Sequence, residues 1–224
     1  ARIRESKAQI LVVNHHLFFS DVASGNKVLP KHDGIVFDEA HTLESVATSY
    51  LGSEISNYQL KYFFDSLWNL QTNKGFLPRL KNHSPRVISN LRKALESTRE
   101  SANVLSLKII DKFGNESNTT RIREKFMDSS CFLKDFEALS SQLRNVLEAT
   151  KDQDDCLEIK RYLSKIQEFV FALDNILEMK RDDYVYWVEI LARQDRFKWT
   201  LCSAPINIAG EFKSKVLDKS QAII

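Results

Sequence analysis

Between residues 86 and 177 apolar side chains return every third or fourth position, and this spacing limits the possible folds more than any other feature. Ile88, Leu91, Leu95, Ala102, Leu105 and Ile109 fall on one face of a helix expected at 86–111. Phe132, Phe136, Leu139, Leu143 and Val146 are spaced 4, 3, 4, 3, and Ile159, Leu163, Ile166, Val170, Leu173 and Leu177 are spaced 4, 3, 4, 3, 4. These are a/d-like seams, and a seam of this kind is stable only when another helix covers it. Long antiparallel helices packed as a hairpin or small bundle are the expectation, with the stripes read as core. Two polar breaks separate them, "FGNESNTT" at 113–120 and "ATKDQDD" at 149–155, the second offering Asp154 or Asp155 as an N-cap. Only six glycines and four prolines occur in 224 residues, which suits helices better than a turn-rich β fold.

Outside this region the period changes. "QILVV" at 9–13 and "GIVFD" at 34–38 are short continuous apolar runs, the pattern of strands buried on both faces. "NHHLFFSDVAS" between them has room for about two helical turns before "GNKVLP" turns the chain back. Strand, short helix, strand is an α/β fragment with a parallel sheet. "DYVYWVEI" and "RFKWTLCSAP" are aromatic, β-rich and short, a return path closed by Pro205, and "SQAII" at 220–224 reads as another strand, inside which the chain stops. That end reads as a boundary drawn within a longer fold. The expected class is therefore α/β with a large helical insertion, divided as 1–50, 51–184 and 185–224.

The bulk composition excludes several classes. Hydrophobic residues at 43% and charged residues at 28% suit a folded globular chain, and a net charge of +2 supplies no global field for nucleic acid. No apolar run approaches the roughly 20 residues that span a bilayer, and "ARIRESKAQILVV" lacks the form of a signal peptide. Cys131, Cys156 and Cys202 are isolated from one another, which fits a reducing, cytoplasmic compartment.

The residues that carry chemistry lie in "HDGIVFDEAHTLESVA" at 32–47, where Asp38 and Glu39 follow directly on an apolar run. Carboxylates at the C-terminal end of a parallel strand face the crevice where α/β folds bind ligands. In phosphate-cleaving sites an Asp holds hydrated Mg²⁺, and an adjacent Glu polarises or deprotonates the attacking water. The plain alternative is that Asp38 caps the following helix, with Glu39 in its first turn.

"IVFDEAH", preceded by "QILVVNHHLFF", resembles the Walker B and NHxL-type segments of the DinG/XPD-like family of superfamily 2 DEAH helicases. "YVYWVEI" and "WTLCSAPINIAGEF" resemble the segment that returns that family's chain to its first motor domain, just before motif III. The resemblance covers 9–50 and 184–224, and matches 51–184 by position to the helical arch inserted between motifs II and III. It implies a partial RecA-like sheet, ATP and Mg²⁺ as cofactors, and single-stranded or forked DNA as partner. It places Asp38 on Mg²⁺ through water, makes Glu39 the activator of the hydrolytic water, and has His41 link nucleotide state to the second motor domain. Asn14, His15 and His16 correspond to a motif that touches the DNA backbone. The family's iron–sulfur cysteines, where present, precede the NHxL strand, so the cysteines here do not take that role. No GxxxxGK[ST] occurs, so the chain is expected to be a motor fragment without ATPase of its own.

In the insertion, residues 74–99 carry seven Lys or Arg against one acid, Glu96. Arg92 and Arg99 lie seven apart on one side of the expected helix, as do Arg86 and Lys93. Such a stripe tracks a DNA backbone electrostatically, and Phe76 beside it is placed to stack on a base. A solvated helix face beside a core aromatic is the competing reading. For the whole chain, a helical protein-interaction module on an α/β scaffold is the alternative to a helicase fragment. Unpaired sheet edges also lead us to expect self-association.

Overall fold

The computed structural model describes residues 8–23, 25–26, 28–80, 84–114, 117–193, 196–219 and 222–223. In chain order it contains α1 (His15–Ala23), β1 (Gly34–Ile35), a 3₁₀ turn (Ala40–Thr42), α2 (Leu43–Leu51), β2 (Ser53–Ser56) and α3 (Asn57–Trp68). A 3₁₀ turn (Leu77–Arg79), α4 (Pro85–Phe113), β3 (Asn118–Ile122), α5 (Ser130–Ala149) and α6 (Gln153–Glu178) follow. The chain ends with β4 (Tyr184–Arg193), β5 (Arg196–Pro205), α7 (Ile208–Lys215), a 3₁₀ turn (Leu217–Lys219) and β6 (Ala222–Ile223). The fold is mixed α/β, a small parallel sheet plus long helices. It divides into two compact units, residues 1–53, 183–185 and 203–224 in one, 54–182 and 186–202 in the other.

In the first unit β1 and β6 pair in parallel, Gly34 with Ala222 and Ile35 with Ile223. The core beneath is Phe18, Phe19 and Val22 of α1, Ala47 of α2 and Val216, flanked by Ile35, Phe37, Phe212 and Ile223. α1 forms where expected. The strand expected at 9–13 does not: that run is irregular, with Ile10 83% and Val12 91% exposed. The expected strand 34–38 shrinks to Gly34–Ile35, and Val36 is exposed. A strand exists only as part of a ladder, and β-propensity expresses fit to neighbours rather than an intrinsic state. Among the described residues no partner lies alongside 9–13, so Val-rich composition alone leaves it irregular. Of "SQAII", Ala222 and Ile223 form β6, while Ser220, Gln221 and Ile224 lie outside the described residues. Gly52 is required by close approach, since a Cβ there would lie 2.4 Å from the Ser203 carbonyl oxygen.

In the second unit the expected helices form with clear local causes. α3 starts in a capping box: Ser56 Oγ accepts from Gln59 N and Gln59 Oε1 accepts from Ser56 N. α4 begins with Ser84 as cap and Pro85 in the first turn and ends at Gly114. α6 is capped by Asp152 rather than by Asp154 or Asp155. Its side chain takes the amides of both, because the cap must precede the free N–H groups it satisfies. Leu91, Leu95, Leu105 and Ile109 are fully enclosed, as are Phe136, Leu139, Leu143, Val146, Ile159 and Leu173, whereas Ile88, Leu163 and Val170 are half-buried. α5 and α6 are joined by a three-residue turn and pack together, which makes them antiparallel. Inside the α4 seam sits Thr98, fully buried, its single hydroxyl hydrogen shared between Ala94 O and Asp135 O, while Ser97 and Ser101 donate to the Asp135 carboxylate. This polar clasp sets the register of α4 against α5. Strands β4 and β5 form as expected and lie within a four-stranded sheet ordered β2-β5-β4-β3, with β3 antiparallel to β4. Asn57 docks α3 on β5, its amide donating to Phe197 O and its carbonyl accepting from Trp199 N.

Candidate functional site

Phe37 anchors the acidic turn. Its ring packs on Phe18 at 5.4 Å, Phe212 at 6.0 Å and His15 at 6.1 Å, so the backbone leaves the core at this point and Asp38 and Glu39 emerge exposed. Asp38 Oδ1 accepts from Glu39 N at 2.9 Å. Glu39 is left-handed, φ 50° and ψ 49°, a conformation costly for a residue with a side chain. Its carbonyl accepts from both Thr42 N and Thr42 Oγ1 at 2.9 Å, which closes the 3₁₀ turn. Its carboxylate lies 3.3 Å from His41 Nδ1, with both side chains mostly exposed, so this contact contributes little to stability. Asp38 caps no helix: neither the 3₁₀ turn nor α2 has a side-chain cap.

Asn14, His15 and His16 belong to the start of α1 rather than to a strand end. Asn14 Oδ1 accepts from Leu17 N at 2.8 Å and so caps the helix. His15 Nδ1 lies 3.2 Å from Thr42 Oγ1, and His16 Nδ1 lies 3.4 Å from the Tyr50 hydroxyl. The structure therefore brings His15 to the residue that closes the Asp38–Glu39 turn, a contact the sequence pattern does not reveal. It also reveals Asp21, 3% exposed, whose carboxylate accepts from Val28 N at 2.7 Å and Leu29 N at 3.1 Å and so holds the loop leading to β1. The Gly25-Asn26 turn, with positive φ at both residues, was the available signal for it.

In the second unit the basic stretch is not uniform. Arg86 and Lys93 are exposed and lack an ion pair among the described residues. Arg92 pairs with Glu96 at 2.9 Å and lies over Trp68, 5.4 Å from the ring centre. Arg99 donates to Asp65 Oδ1 and to Trp68 O, both at 3.0 Å, with its guanidinium over the Phe64 ring. Phe76 is 3% exposed and packs on Tyr162, so it is core and has no face for a base; burial in the unit wins over the exposed position its basic neighbours suggested. Lys81 and His83 lie outside the described residues.

No group of three His, Cys, Asp or Glu that could hold a metal ion occurs among the described residues. Cys202 is buried, which pushes its thiol up to about 12, and Cys156 donates to Thr150 O. No helix among the described residues is long and apolar enough to cross a membrane.

No protein-family model matches the chain. It is similar to the ATP-dependent DNA helicase YoaA of Haemophilus influenzae, 28% identical over 235 residues, covering 100% of this chain and 33% of the relative. It is also similar to the ATP-dependent DNA helicase YoaA of Escherichia coli, 26% identical over 229 residues, covering 98% of this chain and 32% of the relative. The chain thus spans about a third of the length of the curated relatives it matches. The similarity to these helicases, in keeping with the DinG/XPD-like resemblance of the flanks, runs through the helical middle as well.

Proposed function

We propose that the chain is part of an ATP-dependent DNA helicase, in which it supplies the acidic pair that hydrolyses ATP and a helical insertion that meets DNA. The observation that carries this reading is the Asp38–Glu39 turn, an exposed acidic pair held in a costly conformation just beyond a parallel strand, in a chain similar to helicases along its length. Asp38 fits a Mg²⁺ held through water. One carboxylate oxygen is oriented by Glu39 N, the side chain is exposed, and this ion keeps most of its water and needs few protein ligands. When bound, the ion would neutralise charge on the phosphates. Glu39 takes the proton of the attacking water. His41, in contact with Glu39, relays the state of the site to the second motor domain. The residues proposed to meet the DNA backbone are Asn14, His15 and His16 in the first unit and Arg86, Arg92, Lys93 and Arg99 in the second. Of these, Arg86 and Lys93 carry the least compensated charge.

The test is Glu39→Gln in the whole protein. It removes the base and keeps the shape, so nucleotide binding stays nearly intact while turnover falls by about 10²-fold or more. Wild-type turnover in that variant rejects the assignment. The 224-residue chain alone, lacking a phosphate-cradling GxxxxGK[ST], is expected to show no Mg²⁺-dependent ATPase above background.

A further inference from the structure

We infer that Thr42 is a positioning residue for Glu39, and that His15, through its Nδ1–H, locks Thr42 in that role. Thr42 Oγ1 lies 2.9 Å from the Glu39 carbonyl oxygen and 3.2 Å from His15 Nδ1. A hydroxyl has one hydrogen to give and two lone pairs to receive with. The Glu39 carbonyl can only accept, so the Thr42 proton goes there, since an oxygen–oxygen approach of this length without a hydrogen would be repulsive. Thr42 Oγ1 is then an acceptor toward His15, so Nδ1 carries a proton, and in the neutral imidazole this is the Nδ1–H tautomer with its lone pair on Nε2.

The chain of donors runs His15 Nδ1–H to Thr42 Oγ1–H to the Glu39 carbonyl, which also takes Thr42 N. It ends on a residue with φ 50°, whose conformation has to be imposed by its surroundings. His15 secures the other side of the turn too, since its ring packs on Phe37, the residue before Asp38. Thus the first helical residue of α1 grips the acidic pair from both ends. All of these groups lie in one compact unit, and the His15–Thr42 contact is partly buried, which shields that bond from competing water, while the Thr42–Glu39 bond is exposed. The catalytic half of the inference rests on Glu39 as the group that activates water. The tautomer half does not depend on that reading.

Two measurements test it. In the 224-residue chain, ¹⁵N chemical shifts of the His15 ring should report the Nδ1–H tautomer, and Thr42→Val, which keeps the shape and deletes the hydroxyl, should shift the ring toward Nε2–H. An Nε2–H ring in the wild type, unchanged by Thr42→Val, overturns the inference. In the whole protein at saturating DNA, Thr42→Val should lower kcat by about tenfold with KM for ATP within about twofold, because the base is misplaced but the nucleotide is not. Thr42→Ser, which returns the hydroxyl, should restore kcat to within about twofold of wild type. A Thr42→Ser variant as slow as Thr42→Val overturns the positioning role. Normal turnover in Glu39→Gln, with the tautomer as expected, would overturn the catalytic half alone and separate its failure from that of the local geometry.

Discussion

The four basic residues proposed for DNA on α4 divide into two kinds once their neighbours are known. Arg99 is three-quarters covered, bridges Asp65 and the Trp68 carbonyl, and has a buried Nε with no partner among the described residues. Its removal leaves the largely covered Asp65 carboxylate only the 3.6 Å pair with exposed Lys61, and opens the Trp68 carbonyl at the end of α3. Arg99→Ala should therefore destabilise the chain by about 2 kcal/mol in urea unfolding. Arg86 and Lys93 make no ion pair or side-chain hydrogen bond among the described residues. Arg86→Ala with Lys93→Ala should leave stability within about 0.5 kcal/mol of wild type. The same pair should flatten the plot of log affinity for single-stranded DNA against log salt by roughly 0.7 per lost contact. A slope unaffected by the pair moves the DNA contact to Asn14–His16 or elsewhere in the whole protein, and the stretch becomes a solvated face or a protein-docking surface. The charges were legible in the sequence because charge belongs to the residue. Their pairing was not, because Asp65 lies 34 positions from Arg99 and meets it only by packing of α3 on α4.

Among the elements, the long helices of the second unit were read nearly to their ends, since a seam of apolar residues records its own period. What the seams do not record is how the helices are joined. Glu178, the last residue of α6, accepts from the Ser129 amide at 3.0 Å and pairs with Lys125 at 2.9 Å, so it clasps the start of α5 from a distance of 49 positions. The Ser129 amide, with the Lys125 ammonium second, holds the Glu178 carboxyl down to about 2, against 4.5 for the free side chain. A carboxyl whose pKa is lower folded than unfolded stabilises the fold at all pH values above the unfolded pKa. That contribution is lost as pH falls from about 4.5 toward 2. Asp128, lowered by hydrogen bonds from the Ser130 amide and hydroxyl, acts in the same direction at the same helix start. Glu178→Gln should therefore be less stable than wild type at pH 7, and the two unfolding curves should converge as pH approaches 2. A difference that stays constant down to pH 2 would mean that the charge on Glu178 contributes nothing.

For the molecule as a whole, the two units differ in how completely they satisfy themselves. The helical unit encloses most of its seams, whereas the other leaves Ile10, Val12 and Val36 at 75% exposure or more, and among the described residues its parallel ladder is two residues long. Exposed apolar side chains and open strand edges both favour association with another chain. We expect the isolated chain to self-associate through 9–13 and 34–36, seen as a concentration-dependent sedimentation coefficient, and Ile10→Lys with Val12→Lys to make it monomeric. Hydrogen exchange should be faster in this unit than in α4–α6. A chain that sediments as a monomer at all concentrations, with equal protection in both units, contradicts the expectation.

The sequence by itself determined the long helices between residues 85 and 178, the strands β4 and β5, and the acidic pair after an apolar run. Each of these depends on spacing along the chain or on the chemistry of one residue and its near neighbours. Only the tertiary structure decided that 9–13 forms no strand, that Phe76 is core, that Arg99 is a structural clamp, and that His15 reaches Thr42. Those outcomes turn on partners brought together from distant positions. A ladder, an ion pair or a hydrogen bond has no existence until both of its halves are in place, and no periodicity in one segment records the other.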